Sequence, residues 1–155
     1  MQIYWGSDWV AGLPLIVLTV LLHAFGIGSI NRIFTSMLGA AVRHRDFPFT
    51  PTFVTGSTVL SVVVLHGFEC FLWAGAYRLL GAMQDNKSAI LYSVNAMTCY
   101  GHDNIDLAPG WQMMGALEAL DGWILFGLTT AFLFTVIQKV GTLWNLDEAR
   151  VSPVV

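Results

Sequence analysis

The sequence predicts an all-α membrane protein with three transmembrane helices and a short re-entrant helix and loop between the second and the third. Three observations predict it. Apolar residues make up 55% of the chain and charged ones only 11%, against about 25% charged in average globular chains. The apolar residues are gathered into three runs long enough to cross a bilayer, which takes roughly 20 helical residues. A fourth, shorter run ends in a polar, glycine-bearing stretch, Ser93 to Asp103, SVNAMTCYGHD.

The first crossing spans about Val10 to Ile30 and holds only His23 as a titratable group. Trp5 and Trp9 precede it as interfacial residues, and Pro14 is read as near enough to its start to be tolerated. No Lys or Arg precedes the run, so it lacks the basic flank of a cleaved signal and is expected to be retained. Asn31–Phe49 is expected to be a cytoplasmic connector, with Ile33, Phe34, Met37 and Leu38 on one side of an interfacial helix. The second crossing spans about Pro51 to Leu80, with Pro51 in its first turn. The third spans about Trp111 to Val140.

Lys87 to Thr98 is different. As a helix it reaches only ~18 Å, about half of a ~30 Å hydrocarbon core. Asp85, Asn86 or Ser88 is placed to cap it. The polar return to Pro109 is tolerated at membrane depth only where it is buried in protein or lines a water-filled cavity. The chain thus divides into residues 1–50 (first crossing and connector), 51–140 (the two later crossings with the half-helix) and 141–155 (a short tail).

Arg32, Arg43, Arg45, Lys139 and Arg150 fall on one side of these crossings; Arg78 and Lys87 share the other with Asp8, Asp85, Asp103 and Asp106. The positive-inside tendency then puts the N-terminus outside and the C-terminus in the cytoplasm. A net charge of −3 with no basic stripe speaks against a nucleic-acid partner. Cys70 and Cys99 do not make a disulfide framework. No phosphate-binding glycine loop and no nucleophile–base arrangement is recognisable, so no enzyme and no organic cofactor is expected. In the short tail after Lys139 no large ligand-binding gate is expected.

Ser88 to Phe134, SAILYSVNAMTCYGHDNIDLAPGWQMMGALEALDGWILFGLTTAFLF, resembles the pore helix, filter and inner helix of small bacterial potassium-channel-like proteins. The second crossing, with His66, Gly67, Phe68, Glu69 and Trp73 before Tyr77, is similar to theirs as well. The resemblance implies a homotetramer in a bacterial inner membrane, because one such loop supplies a quarter of a pore. It implies backbone carbonyls that replace a permeant cation's hydration shell, with helix C-terminal dipoles favouring the cation. It implies a filter at Thr98, Cys99, Tyr100, Gly101 and His102, with Asp103 at the outer mouth, and inner-helix glycines at Gly122 and Gly127 that hinge or pack.

The residues depart from the family signature Thr-Val-Gly-Tyr-Gly-Asp. With the count preserved, Tyr100 and His102 stand at the two glycine positions. Each then pays roughly 1–2 kcal/mol for a left-handed backbone. Shifting by one residue matches Tyr100 and Gly101 to Tyr-Gly, puts Cys99 at the first glycine, and needs an insertion before Asp103. Neither register restores both glycines. The expectation is a monovalent-cation pore without ordinary potassium selectivity; the alternative is a non-conducting membrane subunit or metal-binding scaffold docked on another membrane protein.

Two metal expectations go with this. Four copies of His102 and Asp103 would make a ring able to take a divalent ion. His66 and Glu69, and Glu118 and Asp121, sit three apart on their helices and so share faces; with His23 they are candidates for an intramembrane metal site. The plainer reading of the same residues is a hydrogen-bonded network between helices.

Overall fold

The computed structural model describes residues 6–43, 50–101 and 104–151. Four helices follow one another: α1 (Gly6–Arg43), α2 (Thr50–Leu79), α3 (Asn86–Met97) and α4 (Gln112–Val151). There is no strand among the described residues. Three stretches, Gly6–Ala40, Thr52–Leu79 and Gln112–Thr142, are long and apolar enough to cross a membrane. The distribution of polarity is the reverse of a water-soluble protein's. Val10, Phe25, Leu60, Val64, Trp123, Phe126 and many like them face outward, while Asp8, Thr19, His23, Glu69, Ser93, Glu118 and Asp121 are buried.

α1 packs along both α2 and α4, and α3 lies against the later part of α2 and the early part of α4. The packing directions follow from the contacts. Asp8 meets Met114 and His23 meets Thr129, so α1 runs parallel to α4. A Cβ at Gly26 would strike Leu65 and His23 meets Glu69, so α1 runs antiparallel to α2. Two apolar cores form. The larger surrounds Trp73, Tyr77, Ala89, Met114, Leu117 and Leu125; the smaller holds Phe34, Val54, Val62, Phe132 and Val136. Along α2 and α4 the two are separated by His66, Glu69 and Thr129.

Two expectations are corrected. Asn31–Arg43 is not a separate connector helix but the continuation of α1. Phe34 on that stretch is buried and Met37 and Leu38 are partly so, whereas Ile33 is exposed. Nor is Pro14 in a first turn: α1 starts at Gly6, which leaves Pro14 inside the helix. Proline there removes the donor for the Val10 carbonyl, a loss that helices of this kind tolerate through local adjustment. α2, α3 and α4 begin within a residue of the expected positions, and Asp85 is the residue that caps α3, its Oδ2 accepting from the Ser88 N–H at 2.8 Å.

Candidate functional site

The loop after α3 begins as a tight helix ending. The Cys99 N–H donates to the Ala96 carbonyl and the Tyr100 N–H to the Asn95 carbonyl, each at 3.0 Å. That pair of bonds is the Schellman ending, which needs a left-handed residue at Cys99, and its φ is +53°. Glycine is the usual occupant; a cysteine there carries a strain of roughly 1–2 kcal/mol. Gly101, two residues on, is also left-handed (φ +99°). Of the two registers open at the sequence level, the shifted one puts both left-handed residues at the signature's glycine positions. Tyr100, where the other register needs one, does not have positive φ. His102 and Asp103 lie outside the described residues.

α4 holds this turn in place. A Cβ on Gly122 would run into the Met97 carbonyl, so the helix and the end of α3 meet backbone to backbone there. Gly127 has open space around it. The Trp123 indole N–H donates to Cys99 Sγ at 3.1 Å, while Tyr100 is 83% exposed. The return to α4 is anchored at its far end, where the Ala108 N–H donates to the Ala82 carbonyl and Leu107 is buried in the larger core.

The second feature is a ladder of buried polar side chains on the facing sides of α1, α2 and α4. On its first rung the Tyr77 hydroxyl donates to Glu118 Oε2 and the Ser93 hydroxyl of α3 to Oε1, both at 2.5 Å. On the second, the Thr19 hydroxyl (2.6 Å) and the Trp73 indole N–H (2.9 Å) both donate to Asp121 Oδ2. On the third, His23 Nδ1 is 2.8 Å from Glu69 Oε1 and His66 Nδ1 is 3.2 Å from Oε2. Above the ladder, Asp8 of α1 accepts from the Met114 N–H in the first turn of α4, a donor it shares with the Trp111 carbonyl.

His66, Glu69, Trp73 and Tyr77 therefore do present one face of α2 to the interior. The five metal candidates do not converge, however. His23, His66 and Glu69 come together, with their ligand atoms within 4.8 Å of one another. Glu118 and Asp121 turn to hydroxyl and indole donors of their own. Thr129 faces the two histidines: its Oγ1 is 3.0 Å from His66 Nε2 and 3.1 Å from His23 Nε2. Thr130 bonds back to the Phe126 carbonyl instead. Sequence reasoning missed Thr19, Ser93 and Asp8 as partners. The only available signal was that Thr19 precedes His23 by one helical turn.

No protein-family model, curated protein or solved structure matches the chain.

Proposed function

We propose that the chain is the subunit of a homotetrameric cation pore of a bacterial inner membrane, N-terminus outside, with the loop from Thr98 to Asp103 as its constriction. The observation that carries this reading is where α3 ends. Its last carbonyl, Met97, abuts Gly122. At 1.5 Å per residue that is roughly 15 Å along α4 from Gln112, half of a ~30 Å hydrocarbon core. A polar loop that turns back at that depth has to line water or lie within protein, and four copies around an axis satisfy both. Left-handed residues at Cys99 and Gly101 support a filter-like backbone whose carbonyls serve as ligands. Thr98 and Tyr100 complete the constriction, and Asp103, with His102 beside it, supplies the charge at its mouth. With one glycine where the potassium signature has two, the pore passes monovalent cations without ordinary potassium selectivity.

The strain at Cys99 favours a second reading, a non-conducting subunit of a larger membrane complex that has kept the pore-loop fold. Flux separates the two. Purified protein in liposomes, verified as a tetramer, is expected to pass potassium and sodium. A verified tetramer with no flux would defeat the pore. Cys99→Gly relieves the strained position and is expected to preserve conduction, whereas Gly101→Val blocks it. Tyr100→Gly and His102→Gly are expected to change ion preference. Indifference of selectivity to all four changes would mean that this stretch is not the filter.

A further inference from the structure

We infer that His23, His66 and Glu69 form an intramembrane binding site for a first-row divalent transition-metal ion of the zinc type, independent of any pore. The cluster is drawn from α1 and α2 and closed by Thr129 of α4. Three neighbouring groups offer two imidazole nitrogens and a carboxylate oxygen within 4.8 Å of one another. Such a mixed nitrogen and oxygen set suits zinc, cobalt or nickel rather than calcium or magnesium. The two rings are tilted at 46° with centroids 5.0 Å apart, so they converge on the carboxylate rather than stack.

Hydrogen bonding alone leaves this rung incomplete. Glu69 is fully buried, yet its Oε2 accepts no hydrogen bond. It lies 3.2 Å from His66 Nδ1, close enough for an ion pair but without hydrogen-bond geometry. The protons explain the shortfall. Four contacts link Glu69, His23, Thr129 and His66 in a closed ring; with both imidazoles neutral, they and the one hydroxyl bring three protons, and the fourth contact needs either a further proton or a metal. A buried carboxylate oxygen without a partner is costly; Asp8 Oδ2 and Asp121 Oδ1 are also without one, but only at Glu69 do two imidazoles stand beside the orphaned oxygen.

A metal supplies the partner that the two inner imidazole nitrogens and a Glu69 oxygen share. With both Nδ1 atoms and a Glu69 oxygen as ligands, both Nε2–H groups donate to the two lone pairs of the Thr129 hydroxyl, already 3.0 and 3.1 Å away. Ligating histidines are usually held through a hydrogen bond from the outer nitrogen, and here one hydroxyl stands in reach of both. Tetrahedral zinc at about 2.0–2.1 Å from each ligand separates ligand atoms by roughly 3.3 Å. The present contacts are 2.8 Å to Oε1 and 3.2 Å to Oε2, and all three ligand atoms lie within 4.8 Å of one another, so reaching that spacing takes side-chain shifts of at most about 1.5 Å. Three protein ligands leave a fourth position open, and His66 is the least enclosed of the three, its side chain 27% exposed.

The test uses the full-length protein in detergent, stripped with chelator and dialysed. Zinc titration by calorimetry and metal analysis after gel filtration are expected to give one ion per chain, and cobalt a tetrahedral visible spectrum. His66→Ala, at the exposed edge, is expected to keep the helical fold and weaken zinc binding more than roughly 100-fold; Thr129→Val weakens it roughly 10- to 100-fold. Glu118→Gln leaves it unchanged. A folded wild-type protein that takes up no stoichiometric zinc would overturn the site. So would zinc binding that His66→Ala does not alter, since the ion would then sit elsewhere, such as at His102 and Asp103. None of these readouts depends on flux, so the site and the pore stand or fall separately.

Discussion

Glu118 and Glu69 are both buried carboxylates wedged between helices, and they are served in opposite ways. Each oxygen of Glu118 receives its own hydroxyl, from Tyr77 and from Ser93, so that one side chain ties α4 to α2 and α3. Glu69 faces two histidines and keeps one oxygen without a hydrogen bond. The difference is instructive because the neighbours differ in kind. A tyrosine or serine hydroxyl brings a proton and fixes a carboxylate in place. A histidine brings one nitrogen with a proton and one without, which leaves a lone pair to be used. The Glu118 rung ties three helices together; the Glu69 rung keeps an oxygen and imidazole nitrogens for the metal proposed above.

Breaking the complete rung is expected to cost most. Glu118→Ala leaves the buried Tyr77 hydroxyl without its acceptor, removes the tie to Ser93 (which keeps the Cys70 carbonyl), and should lower stability by about 2–4 kcal/mol, read from reversible unfolding in mixed micelles. If the loss is no greater than for an exposed site, the rung is not what joins α3 to the rest. Gly122→Val comes next. It keeps every polar contact but drives a side chain into the Met97 carbonyl, for about 1–3 kcal/mol of overpacking and a faster proteolytic cut in the loop after α3. Thr129→Val tests the incomplete rung in the absence of metal and should cost only about 0.6 kcal/mol, the average for such bonds between membrane helices. A loss as large as that of Glu118→Ala would abolish the contrast.

The smallest effect lies outside the ladder, at Asp85. The Ser88 N–H and hydroxyl hold its carboxyl below the ordinary 3.8. A carboxylate depressed in the folded state contributes stability above its unfolded value and loses it as pH falls through the folded one. Hydrogen exchange at the first amides of α3 should therefore be insensitive to pH around neutrality, after correction for intrinsic rates, and lose protection only in acid below 3.8. Asp85→Ala should show the acid behaviour at every pH.

What the sequence made legible was the part governed by local length and period. Apolar runs gave the three long helices, the half-length run gave α3, and the three-residue spacing put His66 and Glu69 on one face. Pairings across helices were not legible. Nothing near Thr19 says that it will meet Asp121, and nothing near Asp8 says that it will serve the start of α4. The helix ending at Cys99 was hidden because its usual marker is glycine. The extension of α1 to Arg43 was hidden because polar residues after Ile30 look like the end of a crossing, while Phe34 carries the packing onward.

The ladder also bears on how the chain enters a membrane. A carboxylate near the middle of an inserting helix costs about 2.5–3.5 kcal/mol, and α4 brings two, Glu118 and Asp121. α1 and α2 emerge first and seal His23 against Glu69 as a hairpin. That hairpin displays Thr19, Trp73 and Tyr77, the donors α4 lacks. Synthesis order thus makes the first two helices a docking template for the last. Thr19→Leu combined with Tyr77→Phe should leave α1 and α2 inserted while lowering the fraction of chains whose α4 spans, as glycosylation mapping would read.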